Sequence, residues 1–232
     1  MGRQAQFAHA LLHTVRELRF RTNELLMVCT LSRERFIAFP SESQTNGRLV
    51  NFRFAAFSSL LQTFKDVLPV VAGPEFIWPS MAGVRHIAFM QSIRNAITHD
   101  GNPVINGWIE GRFYVISDFI RIGQGGRPVS VTAPVQDIGT LALEFTVDFA
   151  TAIQEHVEPL VGVPSLSEPL YGEEFFGAAI NHPAVPAFAK ELVLAADLKT
   201  TSQAQQGPVP VVQAELCHLK SDCGFWALRI AR

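Results

Sequence analysis

Cysteine is scarce in this chain, and charge is thin. Its 232 residues include three cysteines, Cys29, Cys217 and Cys223, too few and too odd in number for a disulfide framework, which points to a reducing compartment. No apolar run approaches the roughly 20 residues needed to cross a bilayer. The opening stretch, MGRQAQFAHALLHTVREL, is interrupted by His and Arg too early for a signal peptide. The expectation is a cytoplasmic protein with no membrane contact. Charged residues make up 17% and hydrophobic ones 48% of the chain, which excludes a mainly disordered protein. No internal repeat is visible, and the length allows one domain with an appendage or two small domains.

What charge there is lies unevenly. Residues 1–60 carry eight Arg against four Glu, residues 61–130 are close to neutral, and residues 131–232 carry twelve acidic side chains against five basic ones. An arginine-rich front can contact phosphates through its planar forked donors, whereas the acidic back would repel them. The same arginines can equally serve as ion-pair partners on solvated helix faces.

Helical spacing of apolar residues predicts a mainly α protein. Residues 4–31 carry Phe7, Leu11, Leu12, Val15, Leu18, Leu25, Leu26 and Val28 as a stripe, with 32–39 as a continuation. A loop is expected over 40–47, a second helix over 52–67, and a proline-rich connection over 68–79. The central helix, 82–98, starts near Pro79 and Ser80 and stops near His99, where Asp100, Gly101, Asn102 and Pro103 gather turn formers and a breaker. From Trp108 to Ile122 the residues turn β-branched and aromatic, predicting a strand or hairpin that turns at Gly123–Gly126 and returns over Pro128–Val135. Asp137 begins a helix that runs to about Val157, in which Asp137, Glu144 and Asp148 read as a solvated face. A loop over 159–169 and a helical stretch over 172–198, divided at Asn181-His-Pro183, follow. A polar connection over 199–210 leads to a terminal hairpin over 211–232, turning at Lys220-Ser-Asp-Cys-Gly224. The expected organisation is a helical domain, 1–158, with an inserted β-hairpin, and a C-terminal α/β extension, 159–232, of unknown role.

At the end of the central helix stand Arg94, Asn95, Thr98, His99 and Asp100. Arg94-Asn-Ala-Ile-Thr-His99 places an arginine and a histidine with four residues between them, and its setting is two helices, the motif helix, a strand-rich insertion and another helix. In this it resembles the HEPN superfamily, helical proteins many of which are endoribonucleases with an Arg-x4-6-His signature; the likeness covers residues 4–158. A second match to the spacing, Arg3 to His9, lies at the terminus, where fraying works against a positioned site. On an ideal helix five positions separate two residues by about 140° around the axis and about 7.5 Å along it. Arg94 and His99 therefore do not share a stripe, but they can still converge, because the arginine is long and His99 lies where the last turn can unwind. Asn95 and His99, four apart, share a face. The same cations would also serve as caps for the carbonyls at the helix C-terminus.

The resemblance implies RNA cleavage by attack of a ribose 2′-hydroxyl on the adjacent phosphodiester, without a metal or other cofactor. His99 would move protons near neutral pH, Arg94 would stabilise charge on the phosphate oxygens, and Asn95 would orient one of them. Thr98, Asp100 and Arg85, the last placed two turns upstream on the same helix, would extend the substrate track. The family's habit of pairing two motifs implies a homodimer with a composite site, acting in stress or antiviral defence, with a possible regulatory partner. Toxin members that pair with nucleotidyltransferase antitoxins often carry a tyrosine two residues after the histidine; Gly101 stands there in this chain, so that regulation does not carry over. The competing expectation is a noncatalytic HEPN-like module that binds a nucleotide or a protein. Cys217, His218 and Cys223 lack the paired close spacings of a structural zinc site.

Overall fold

The first helix, α1 (Arg3–Ala38), runs for 36 residues and buries Leu11, Val15, Leu18, Leu25 and Leu26, the stripe its sequence predicts. In the computed structural model, residues 2–41, 47–73, 76, 81, 83–100, 103–169, 173–195 and 207–230 are described, the side chains of 98–100, 124, 173–175 and 194 excepted. The chain returns along α1 as α2 (Gly47–Ala72), which carries Phe54, Phe57, Leu61, Phe64 and Leu68 into the core. This helix is longer than expected at both ends and includes Pro69. Proline has no N–H for the carbonyl four residues back, but burial of Leu68 and Val71 outweighs that loss.

The third helix, α3 (Ile87–Asp100), begins five residues later than its apolar spacing suggests. His86 sits at φ 62°, a left-handed conformation that interrupts any helix upstream. Helical bonding starts where the Met90 N–H donates to the His86 carbonyl at 2.8 Å. The expected start at Pro79 and Ser80 lies outside the described residues.

Two antiparallel hairpins follow where one was expected. Strands β1 (Gly107–Ile109) and β2 (Arg112–Tyr114) pair around Glu110 and Gly111, whose φ values of 49° and 79° are those of a primed two-residue turn. The tip lies on the last turns of α1, so close that a Cβ at Gly111 would stand 2.7 Å from Phe36 and 2.9 Å from the Arg33 backbone. Arg33 donates to the Glu110 carbonyl at 2.7 Å and Trp108 to the Ser32 hydroxyl at 3.2 Å. Strands β3 (Phe119–Ile122) and β4 (Pro128–Val131) form the second hairpin, turning through Gln124–Gly126 as the glycines predict.

Helix α4 (Ile138–Val157) is capped by Asp137, whose Oδ1 accepts from the N–H groups of Gly139 and Thr140 at 3.0 and 3.1 Å. Its β-branched and aromatic content would count against a helix in isolation; packing decides otherwise. Phe145 and Phe149 stack at 5.1 Å and receive Phe57 and Phe64 of α2 edge-on, at 6.0 and 5.1 Å. Such aromatic pairs contribute about 0.5–1.5 kcal/mol each beyond the area they bury.

Beyond two 3-10 turns lie the short helices α5 (Glu173–Ile180) and α6 (Ala187–Ala195), divided near Asn181-His-Pro183 as expected. The expected terminal hairpin is instead one helix, α7 (Pro208–Ile230). Val209, Val212, Leu216, Leu219 and Cys223 recur at spacings of three and four and are buried against α1 and α4. The helical stripe overrides the turn formers at 220–224, Gly224 included, whose cost in a helix is about 1 kcal/mol. Residues 208–230, expected in an α/β extension, thus share the core of α1 and α4. Among the described residues no helix is long and apolar enough to cross a membrane.

A polar seam fastens α7 to α1. Arg16 pairs with Glu215 at 2.9 Å, Arg19 with Asp222 at 2.7 Å, and Arg229 with Glu34 at 2.7 Å. Asn23 donates to Asp222 at 2.8 Å and accepts from the Trp226 indole at 2.7 Å. The partners rise together in number, so the two helices run parallel. Burial pushes the Asp222 carboxyl up, but hydrogen bonds from Arg19 and Asn23 prevail and hold it below the usual range. At Glu215 burial likewise works upward, and Arg16 and Arg19 bring the carboxyl down.

Two measurements check this packing. Phe145→Ala should destabilise the protein by about 3–5 kcal/mol, read as a lower urea midpoint; an unchanged midpoint would remove the α2/α4 interlock from the core. A lowered folded-state pKa gives stability that is present above the unfolded value of about 4 and lost as pH falls through the folded one. The urea midpoint should therefore fall below about pH 4. The deficit of Asp222→Asn against wild type should shrink over that same window; a constant deficit would mean that the Asp222 charge does not hold the seam.

Candidate functional site

Helix α3 has two unlike sides. Met90, Ile93 and Ala96 are buried in the core and fix the rotation of the helix, which leaves Gln91, Arg94 and Asn95 half-buried on the other side. Across from them α2 presents Leu61, Gln62 and Lys65. These six residues line an open cleft of about 110 Å3.

Arg94 is held in this cleft by hydrogen bonds at both terminal nitrogens. Nη1 donates to Asn95 Oδ1 at 2.5 Å, and Nη2 donates to Gln62 Oε1. The Gln62 amide is oriented in turn, because its Nε2 donates to both carboxylate oxygens of Asp66, one helical turn on, at 2.9 and 3.0 Å. A carboxylate, an amide, a guanidinium and a second amide thus form one chain from α2 to α3. A guanidinium carries five N–H donors, and among the described residues two are engaged, so up to three can serve an incoming anion. Lys65, exposed at the same cleft, adds a second positive charge. The arrangement suits a tetrahedral oxyanion carried on a larger molecule.

Of the residues singled out by sequence, Arg94 and Asn95 lie in this cleft. Helix α3 continues unbroken through Thr98, His99 and Asp100, so the last turn does not unwind and any approach of Arg94 to His99 relies on the length of the arginine. The side chains of Thr98, His99 and Asp100 lie outside the described residues. Position 99 falls four residues after Asn95 and eight after Gln91, on the helical stripe that borders the cleft.

Arg85 is placed differently from expectation. It precedes α3 and is clasped by α4: its Nε and Nη2 reach the two Asp148 oxygens at 2.7 and 3.0 Å, its backbone N–H reaches Asp148 at 3.1 Å, and its Nη1 reaches Glu144 at 3.0 Å. His86 joins the cluster through Glu144 Oε2 at 2.7 Å. The Arg85 hydrogen bond is the main cause that holds the Asp148 carboxyl below its ordinary range, against the opposite pull of burial. With two carboxylates beside it, Arg85 fastens the segment before α3 to α4. Glu144 and Asp148 are accordingly ion-pair partners and not a solvated face, and Asp137 is a cap.

Sequence reasoning missed Gln62, Lys65, Asp66 and Gln91. The first three were visible only as polar positions on an apolar helix some thirty residues before the motif. The cysteines and His218 do not converge: Cys223 is buried on α7, with its thiol pushed up to about 12 by burial and by Asp222, and Cys217 is exposed. Among the described residues no three His, Cys, Asp or Glu side chains stand close enough to share a metal ion. No family model, no curated protein and no solved structure matches this chain.

Proposed function

We propose that this protein is a metal-independent endoribonuclease of HEPN type whose active centre is the Arg94-Asn-Ala-Ile-Thr-His99 segment of α3. The observation that carries the reading is the held guanidinium of Arg94, at an open cleft beside Lys65, five residues before a histidine on one uninterrupted helix. A fixed cation facing solvent is suited to charge that develops on a phosphate.

In this reading the ribose 2′-oxygen attacks the neighbouring phosphorus. The 2′-O–P bond forms, the P–O5′ bond breaks, and the products are a 2′,3′-cyclic phosphate and a free 5′-hydroxyl. His99 takes the proton from the 2′-hydroxyl or delivers one to the leaving 5′-oxygen. Arg94 holds the non-bridging oxygens, and Asn95, tied to Arg94 and on the stripe of position 99, orients the pair. Thr98 and Asp100 flank the histidine as substrate contacts. One acid-base histidine per chain serves one of the two proton transfers, so a homodimer that brings two motifs to one groove supplies the other. DNA lacks the 2′-nucleophile and is not a substrate. A role in stress or defence follows the family resemblance.

His99→Ala and Arg94→Ala should each lower cleavage of a mixed cellular RNA pool in EDTA by about 100-fold or more, with unchanged far-UV circular dichroism and urea midpoint. Cleavage that survives in both folded variants, or wild-type protein that cuts no RNA at any concentration, would end the nuclease reading.

A further inference from the structure

The described surface offers several places to look. The cluster of Arg85, His86, Glu144 and Asp148 is engaged within itself by ion pairs and hydrogen bonds, and the exposed apolar side chains of α1, such as Phe20, Met27 and Leu31, show nothing of what would cover them. The α2 side of the cleft carries more, because its residues belong to no part of the Arg-x4-His motif and yet face it.

We infer that α2 supplies half of a phosphodiester-binding subsite: Lys65 contacts the same RNA phosphate as Arg94, and Gln62, braced by Asp66, is the positioning residue that aims the guanidinium. The inference rests on the endoribonuclease reading for RNA as the carrier of that phosphate. Three features support it. The cleft holds about 110 Å3, where one water needs about 10–15 Å3 on the same measure, so a tetrahedral group with its oxygens has room. Among the described residues its polar lining is two cations, Arg94 and Lys65, and three neutral carboxamides, Gln62, Gln91 and Asn95; none of these repels a phosphate, and the amide nitrogens of Gln91 and Asn95 can donate to its oxygens. Asp66, the nearby carboxylate, has both oxygens turned to the Gln62 amide and does not line the cleft, so it braces Gln62 from outside the anion's space.

The division of labour has separate signatures. A lysine that neutralises a phosphate releases counterions, and on a single strand each such contact contributes about 0.7 to the slope of log affinity against log salt. A positioning residue leaves the number of charges unchanged. Gln62 and Lys65 should therefore weaken binding with different salt dependence.

The test is fluorescence anisotropy with a labelled 2′-O-methyl RNA oligonucleotide, which retains the phosphates but has no free attacking hydroxyl. Lys65→Ala should weaken binding about tenfold and flatten the salt slope by about 0.7, and Lys65→Arg should restore both. Gln62→Ala should weaken binding with the slope unchanged. Lys65 is exposed, so its variants keep the wild-type urea midpoint. Wild-type affinity and slope in Lys65→Ala would overturn the inference, as would a Gln62→Ala variant that binds like wild type. Cleavage of the matching 2′-hydroxyl oligonucleotide, followed in parallel, reports separately on catalysis. Lys65-dependent binding without cleavage keeps the subsite and discards the nuclease. Cleavage indifferent to Lys65 and Gln62 does the reverse, and an oligonucleotide that fails to bind wild type at about 50 mM salt removes the subsite.

Discussion

Everything near the cleft is set by how α2 is turned, and that is decided by aromatic packing. Phe57 and Phe64 meet Phe145 and Phe149 of α4 at near-perpendicular ring angles, an arrangement that a close-packed interior permits in few rotations of the helix. With Phe57, Leu61 and Phe64 committed to the core, the next positions, Gln62 and Lys65, emerge about 100° further round, opposite α3. There Met90, Ile93 and Ala96 anchor the facing helix in the same way. The polar chain from Asp66 to Asn95 is thus a consequence of two buried apolar faces.

The uneven charge of the chain finds a structural outlet. Arginines of α1 that could have faced nucleic acid are engaged by Glu215 and Asp222 of α7, and Arg229 answers Glu34 in the opposite sense. Exposed pairs of this kind contribute about 0–1 kcal/mol each, so the seam acts more on register and on parallel orientation than on stability. Burial of Val212, Leu216 and Leu219 supplies the attraction; the charges select which face of α1 receives it. Arg85 follows the same pattern against α4. Arg94 differs in kind: its described partners are neutral amides, so its charge is held in place without being cancelled.

How far this could be read from residues alone depended on whether a signal was local. The long apolar stripe of α1, the start of α4 at Asp137 and its period, the glycine turn at 123–126 and the break at Asn181-His-Pro183 each involve neighbours in sequence and were legible. The terminal hairpin was misread because Lys220-Ser-Asp-Cys-Gly224 is locally turn-like, whereas the burial that makes it helical comes from α1 and α4. Prolines concealed the end of α2, and the left-handed His86, held by Glu144 some sixty residues away, concealed the start of α3. At the site, Arg94 and Asn95 were visible through motif spacing. Gln62, Lys65 and Asp66 were not, since nothing in a single sequence announces which polar residues of an earlier helix will face a later one.

The most direct measurement is the arginine side-chain Nε–H spectrum of isotopically labelled protein, followed while an uncleavable phosphodiester dinucleotide is added. A cleft that receives the phosphate should shift the Arg94 resonance in a saturable way and leave Arg19 and Arg85 where they are, each already bound to a carboxylate. A saturable shift at those ion-paired arginines with Arg94 unmoved would place the anion elsewhere and contradict the role given to the α2/α3 cleft.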